Sequence, residues 1–336
     1  MKFAQAAQLH FQQGGDQARL LSQMELEHDN LRAALTWAIA IPARAAIAME
    51  LGLAIQGFWF TRGHFAEARR WLDKILSLDP APTAMRADLL RHTSDFASTQ
   101  GDYESARNFE EEGIAISKTL GDEAGIYYSM DGLAMLAGMQ GDYAQAVELL
   151  EQALIYWQDT NNIVRLTTTL NNLAIATRRL GNIERAQQLF TESIAASKSV
   201  GNLKSLAHAL NGLAEVHVDL KEYSDAVRLQ RESLSIRHQL GDLRGLAVSF
   251  ESLAISLDYL GNDVLAAQLE GAATKIRQEL GVTISLATRA ENENFIAQLR
   301  AKLGNTKFES AWSGGQAMSQ EQIITLAMED GSNLNS

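Results

Sequence analysis

The chain has 336 residues, of which 46% are hydrophobic, and it lacks cysteine, which excludes disulfides and cysteine-ligated metal sites. Its formal net charge of −12 argues against direct nucleic-acid binding, because phosphate contacts need a basic face. The most apolar stretch, residues 45–60, contains Glu50 and is too short to span a bilayer, and no signal peptide is evident. We therefore expect a cytoplasmic protein without membrane contact.

Residues 1–62 are predicted to form an N-terminal helical segment. Two distinctive runs lie in or next to it: Glu-His-Asp-Asn-Leu-Arg at 27–32 and Phe-Trp-Phe-Thr-Arg-Gly-His-Phe at 58–65. The next segment, residues 63–100, has the spacing of the repeats that follow, but Pro80 and Pro82 interrupt its centre.

From residue 101 to residue 281, every twentieth residue is glycine except for Asn161 and Lys221. Glycine accepts the left-handed backbone that ends a helix, and asparagine accepts it next most readily. An Asp or Asn, which caps the start of a helix through its side chain, follows most of these positions. The pattern predicts helices that begin and end at intervals of twenty residues.

Alternate blocks of twenty differ in kind, so the repeating unit is forty residues and contains two helices. The second helix of each unit carries a small residue at one fixed position: Ala106, Ala146, Ala186, Ala226 and Ala266. The first helix carries a Leu-Ala pair at Leu133-Ala134, Leu173-Ala174, Leu213-Ala214 and Leu253-Ala254. We assign the array to residues 63–282.

The runs Gly101-Asp102-Tyr103…Ala106 and Gly141-Asp142-Tyr143…Ala146, with the Leu-Ala pairs before them, resemble the tetratricopeptide repeat. The resemblance implies an all-α fold, an α–α superhelical solenoid of about six to seven helix pairs. Residues 283–328 would form a helical C-terminal cap, and residues 329–336 a tail. The forty-residue unit exceeds the usual length of about 34 residues, so each helix would be longer by roughly three residues.

The run at 27–32 and the run Phe-Glu-Ser-Ala-Trp-Ser-Gly-Gly at 308–315 resemble the repeat region of bacterial signal-transducing ATPases and LuxR- or SARP-type transcriptional regulators. This sequence contains neither a phosphate-binding loop ending in Lys-Ser or Lys-Thr nor a basic helix-turn-helix segment. The resemblance implies the sensor or interaction part of a regulator, whose partner would be a protein or peptide, including a regulatory ATPase or transcription factor.

No residue pattern points to an enzyme, a cofactor or a metal site. His208 and His217 are nine residues apart, and no carboxylate pair completes a ligand shell with them. The three residues Glu110-Glu111-Glu112 point around a helix rather than converge, so we interpret them as a solvated face. A Gly-x-Ser-x-Gly nucleophile turn is absent from the sequence.

In tetratricopeptide arrays the first helix of each unit lines the concave face, which implies a binding groove. Asn171 and Asn211 are the most suggestive positions in it, because an amide offers both a donor and an acceptor to an extended peptide. The predicted groove residues are Arg91, Tyr128, Asp131, Thr168, Asn171, Arg178, His208, Asn211, Glu215, Glu251 and Tyr259.

Two other functions remain open at this stage. The array could sense a small molecule, with Trp157, Tyr128 and Tyr259 stacking on a ring, although core packing is the favoured explanation of these aromatics. It could also be a scaffold that assembles through its ends. The carboxylate clamp of chaperone-binding arrays is not matched, because Arg178 and Arg179 alone do not supply it.

Overall fold

The structure, a computed structural model, describes residues 17–329; the start of the predicted 1–62 segment and nearly all of the predicted tail lie outside this range. Within it the chain forms α-helices joined by short turns, with one 3-10 helix at Pro42–Arg44. The first eight are α1 Gln17–Leu26, α2 His28–Ile39, α3 Ala45–Arg62, α4 Phe65–Leu76, α5 Ala84–Thr99, α6 Tyr103–Leu120, α7 Glu123–Gln140 and α8 Tyr143–Asp159. The others are α9 Ile163–Arg179, α10 Ile183–Val200, α11 Leu203–Asp219, α12 Tyr223–Leu240, α13 Leu243–Tyr259, α14 Asp263–Leu280, α15 Leu286–Leu303, α16 Asn305–Ala317 and α17 Gln320–Met328.

The helices from α6 to α14 begin every twenty residues, as the glycine spacing predicts. The residue between consecutive helices has positive φ at each step, and the two exceptions to glycine adopt it as well, with φ of 50° at Asn161 and 64° at Lys221. A side-chain oxygen then accepts a hydrogen bond from the third backbone N–H of the next helix. It does so at Asp102, Asp122, Asp142, Asn162, Asn182, Asn202 and Asp242.

The described chain divides into two compact units. The first contains α1–α8 together with the segment Gly281–Thr283, which is tied to α5 by the Thr283 N–H donating to the Thr99 carbonyl at 3.3 Å. The second contains α9–α14 and the three helices α15–α17. None of the helices in residues 17–329 is long and apolar enough to cross a membrane.

In the first unit, α3 packs on both α4 and α5 around a cluster of aromatic rings. Phe60, Phe65 and Phe96 meet edge to face at centroid distances of 5.4 to 5.9 Å. Edge-to-face contact is a favoured geometry for aromatic pairs. This cluster joins α3, α4 and α5, which form the irregular part of the chain before residue 100, to one another.

In the second unit each helix packs on the next one along the chain, and α11 also contacts α9 and α13. The repeated small residues predicted from the sequence are fully buried where the helices meet. Gly212 of α11 shows how close the approach is, because a Cβ there would lie 2.2 Å from the ring of Phe190. The all-helical, consecutively packed fold predicted from the sequence is confirmed for residues 17–329.

The C-terminal run that contains Trp312 closes the second unit by backbone-to-backbone packing of α16 on α14. A Cβ at Gly271 would lie 2.3 Å from the carbonyl oxygen of Trp312, and one at Gly315 would lie 1.9 Å from that of Gln268. Only glycine permits helices to approach this closely. Phe308 inserts between them and is 1% exposed.

The interpretation of Glu110–Glu112 as a solvated face is wrong for one of its three residues. The three side chains do point in different directions: Glu111 is exposed and Glu112 pairs with Arg86 at 2.7 Å. Glu110, however, is only 2% exposed. Burial, and then the negative charge of Asp95, raise the pKa of Glu110 to about 8. The glycine at position 132 accommodates this carboxyl, because a Cβ there would lie 2.3 Å from its Oε1.

Replacing Lys221 with glycine should stabilise the protein. A residue with a side chain loses roughly 1–2 kcal/mol of stability when its backbone is left-handed. Glycine avoids this strain, but it loses more conformational entropy on folding, so only part of the strain energy is gained. We expect Lys221→Gly to raise the free energy of unfolding by about 1 kcal/mol in urea denaturation. Asn161→Gly should give a smaller gain, because asparagine tolerates this backbone. Destabilisation by Lys221→Gly would contradict the assignment of that position.

Glu110→Gln should remove a pH dependence of stability. The pKa of Glu110 rises on folding from 4.5 to about 8, so the folded state binds its proton more tightly. Its contribution is therefore fully present below pH 4.5 and is lost as the pH rises through about 8. At pH 9 the variant should be more stable than the parent by at least ~2 kcal/mol, with the gap closing at pH 5. The control is Glu111→Gln on the exposed side of α6, whose stability relative to the parent should not change with pH. If the stability difference between Glu110→Gln and the parent stays constant from pH 5 to pH 9, the assignment of a buried carboxyl is wrong.

Candidate functional site

α15 contacts the ends of α9 and α13, where Glu291 pairs with Arg179 at 2.8 Å and Lys302 pairs with Asp258 at 2.6 Å. The first helices α9, α11 and α13 lie side by side in the second unit and carry partly accessible side chains at equivalent positions on one face. We call this the inner face and define it by two sets of side chains in equivalent positions, all of them exposed or half-buried. These are Thr168, His208 and Val248 near the start of the helices, and Ile175, Glu215 and Ile255 near their ends. Three repeats in register thus offer a strip of mixed polar and apolar character.

A charged network joins α9 to α11 at one end of the inner face. Arg178 donates to Glu215 and to Asp219, each at 2.6 Å. Burial alone would lower the pKa of Arg178, but the two carboxylates outweigh it and raise the pKa. With two carboxylates and one guanidinium, the network carries a net charge of −1.

Asn171 and Asn211 occupy equivalent positions beneath the inner face and are 1% and 3% exposed. Each amide donates to the next first helix: Asn171 Nδ2 to the Ser205 carbonyl at 3.0 Å, and Asn211 Nδ2 to Ser252 Oγ at 3.1 Å. The structure therefore does not place them on the open surface that the groove prediction assumed. Both Oδ1 atoms are buried and have no hydrogen-bond partner within residues 17–329.

His208 lies at the other end of the inner face, where it is exposed. The surrounding protein atoms, and then the positive charges of Arg237, Arg244 and Lys204, lower the pKa of His208 to about 4. Exposure together with desolvation is what a concave wall produces, because such a side chain reaches solvent while protein surrounds it. His208 is accordingly a neutral hydrogen-bonding group at pH 7.

Two predicted groove residues of the second unit point elsewhere. Glu251 faces α14, where its carboxylate accepts from Nε and Nη2 of Arg277 at 2.5 and 2.6 Å. Tyr259 is 56% exposed and stacks on Tyr223 of α12, with ring centroids 4.4 Å apart and nearly parallel planes. Neither belongs to the inner face, although Tyr259 remains accessible.

The three predicted groove residues of the first unit, Arg91, Tyr128 and Asp131, contact other side chains of that unit. Asp131 is 5% exposed, and Trp157 Nε1 donates to its carboxylate at 3.0 Å. Trp157 is itself buried, so it offers no ring face for a ligand to stack on. Tyr128 packs edge-on against Trp157, and the guanidinium of Arg91 lies 5.4 Å from the Tyr128 ring.

Two contributors to the inner face are not among the predicted groove residues. Ser252 accepts from Asn211, and Asp219 is the second carboxylate on Arg178. Asp219 lies one forty-residue unit after Arg179, so the repeat alignment does point to its position at the end of α11. Ser252 immediately precedes a Leu-Ala pair, and only the contact between α11 and α13 reveals its part.

Family models of the tetratricopeptide repeat match three stretches of the chain, residues 58–74, 122–199 and 206–240. These stretches of the chain contain tetratricopeptide repeats. The first resemblance drawn from the sequence is thereby confirmed.

Putative HTH-type transcriptional regulators of Mycobacterium bovis and Mycobacterium tuberculosis are 37% identical to this chain over 73 residues. The matched stretch is 22% of this chain and 8% of each regulator's length, so it spans only a small part of these relatives.

Several solved structures share the fold. NprR in complex with its cognate peptide NprX superposes with a TM-score of 0.63 at 12% identity, covering 94% of this chain and 89% of that one. A Rap protein complexed with competence and sporulation factor gives 0.59 at 12% identity, covering 92% and 91%. Aspartyl phosphate phosphatase F from Bacillus subtilis gives 0.55 at 16% identity, covering 90% and 74%. At these identities the likeness establishes the fold alone.

Arg178→Ala should destabilise the second unit, because it leaves two neighbouring carboxylates without their shared cation. Both carboxylates keep about a third of their side-chain exposure, so we expect a loss of about 2 kcal/mol rather than the larger cost of a fully buried pair. The control is Arg228→Ala, which breaks an exposed pair with Asp225 and should cost less than about 0.5 kcal/mol. Equal losses in chemical denaturation would show that the network does not stabilise α9 against α11.

Proposed function

We propose that the second unit binds an extended peptide, or an extended segment of a partner protein, along the inner face. The observation that carries the proposal is the strip of equivalent, exposed or half-buried positions on α9, α11 and α13. Neighbouring helix axes are about 8–10 Å apart and an extended chain advances about 3.3 Å per residue. A peptide crossing the three helices would therefore use about eight residues.

The unsatisfied amides below the strip support this ligand class. Leaving a buried acceptor unpaired costs on the order of 1–3 kcal/mol. Asn171 Oδ1 and Asn211 Oδ1 are two such unpaired acceptors, at equivalent positions in consecutive repeats. A peptide backbone supplies N–H donors at regular intervals, so a small rotation of each amide toward the strip would satisfy both. That NprR, with the same fold, is crystallised with its cognate peptide is consistent with this proposal.

The charge of the face indicates what the peptide should contain. The network of Arg178, Glu215 and Asp219 has one negative charge in excess, and the whole chain carries −12. A basic side chain placed over this end of the strip gains electrostatic attraction without displacing Arg178. At the opposite end the neutral His208 favours a polar, uncharged neighbour.

We propose further that peptide binding serves the control of transcription. The support is the stretch of 73 residues shared with the mycobacterial regulators, and the sequence runs at 27–32 and 308–315 that resemble regulator repeat regions. The chain would then be the part of a regulatory system that receives the signal, passing it to a DNA-binding protein or domain.

The test is selection from a random library of peptides about eight residues long, with the full chain as bait. Selected peptides should be enriched in Lys or Arg. The double variant Thr168→Arg/His208→Arg adds bulk and positive charge to the inner face and should weaken their Kd at least about tenfold in fluorescence anisotropy. Raising the ionic strength should weaken binding to the parent chain as well.

The matched control is Gln188→Arg/Glu192→Arg, which adds two arginines to exposed positions of the second helix α10 and should leave the Kd unchanged. Selected peptides that bind the inner-face variant as tightly as the parent would rule out this face. Regulation is tested with the same pair of variants: the host's transcript profile should change with the inner-face variant and not with the control.

A further inference from the structure

A cluster of metal-binding side chain types lies in the first unit, far along the sequence from the inner face residues. Glu25 from α1, His28 from α2 and His64 from the turn before α4 each bring one ligand atom within 4.8 Å of the other two. His64 Nε2 is 3.5 Å from Glu25 Oε1, and the two imidazole rings are 4.5 Å apart. Three separate elements thus converge on one point.

The imidazoles of this cluster are covered and unsatisfied. His28 is 7% exposed, and the Nε2 atoms of His28 and His64 are both buried without a hydrogen-bond partner among the described residues. Phe58 packs against both rings, with centroids 5.1 and 5.3 Å away. Two adjacent imidazoles whose buried Nε2 atoms lack a hydrogen-bond partner are costly unless something occupies the space between them.

The charged groups around the cluster balance one another. Glu67 Oε1 is 3.4 Å from His28 Nε2, but both Glu67 oxygens accept hydrogen bonds from Arg32, at 2.7 and 2.6 Å. The Arg32 bond holds the pKa of Glu67 down at about 2. Arg62 Nε lies 3.7 Å from Glu25 Oε2, which leaves Oε1 of the same carboxylate facing His64. Glu67 is therefore bound by Arg32 and is not counted among the three clustered side chains. The negative charges of Glu67 and Glu25 balance the positive charges of Arg32 and Arg62.

We propose that Glu25, His28 and His64 bind one divalent transition-metal ion of the Zn²⁺ type, with water as a fourth ligand. Tetrahedral Zn²⁺ with bonds of about 2.0–2.1 Å needs ligand atoms about 3.3 Å apart, so rotamer adjustments of about an ångström suffice. Two neutral imidazoles and one carboxylate are a donor set that Zn²⁺ accepts. The ion would tie α1 to α2 and to the turn between α3 and α4, and so act as a structural link.

Sequence spacing gave no warning of this site. Glu25 and His28 are three residues apart but belong to different helices, since α1 ends at Leu26 and α2 begins at His28. His64 follows 36 residues later, after Gly63, whose φ of 78° turns the chain back toward α2. Pairs of histidines on one helix, such as His208 and His217, were the pattern the sequence offered instead.

The test uses the full, tag-free chain after treatment with a chelator, titrated with Zn²⁺ alone. We expect binding of one Zn²⁺ per chain in calorimetry and a rise in the thermal unfolding midpoint on saturation. His64→Gln and Glu25→Gln should each weaken the affinity about tenfold or more. Both residues are partly exposed, so these variants should keep the helical circular dichroism spectrum of the parent. Co²⁺ bound in place of Zn²⁺ should give the visible absorption of four-coordinate cobalt, which His64→Gln should diminish.

The matched control is His217→Gln, which breaks an exposed pair between His217 Nδ1 and Glu222 at 2.6 Å and should leave the affinity unchanged. The proposal is overturned if the chelator-treated chain binds no Zn²⁺ at stoichiometric concentration. It is equally overturned if Zn²⁺ binds with unchanged affinity to His64→Gln and Glu25→Gln.

Discussion

The left-handed residue at every twentieth position is the constraint on which the regular part of this protein depends. Because each helix from α6 to α14 ends at such a residue, these helices have nearly the same length, and equivalent side chains recur at the same height. Small residues at one height then let the helices approach one another, as at Gly212. Backbone conformation at a few turns thus sets the packing of more than half of the chain.

The same regularity explains why polar groups collect between the first helices. When one position of the repeat carries an amide or a carboxylate in several units, these polar groups line up along the first helices. They then form hydrogen bonds or ion pairs with the neighbouring first helix. Asn171 and Asn211 join the helices in this way, and Arg178 joins α9 to α11 through two carboxylates. The row fixes the spacing of the helices beneath the inner face, which is what a rigid binding surface requires.

The helix boundaries could be predicted from the sequence because they depend on local properties, the left-handed caps and the Asp or Asn that follow. The choice of the first helices as the candidate binding face came from the resemblance to the tetratricopeptide repeat, not from the columns alone. Burial could not be predicted at single positions. The pattern does not tell that the Asn171 amide, which lies between two helices, is buried. Nor does it tell that Glu110, one of three consecutive glutamates, turns into the core. Nor could it anticipate the meeting of Glu25, His28 and His64, which depends on the angles between irregular helices. Local rules carry the fold, whereas tertiary geometry decides the chemistry of each site.

The short connection at residues 77–83, with its two prolines, differs from the turns between α6 and α14 because it belongs to no twenty-residue period. Elsewhere one inserted or deleted residue would rotate the rest of its helix by about 100° and take its buried side to the surface. Residues 77–83 are not helical, so a change in length there does not rotate a buried helix face within that segment. Changes in length during evolution, and fusion or labelling in the laboratory, should therefore be absorbed there, while the regular array changes only by whole units of forty residues.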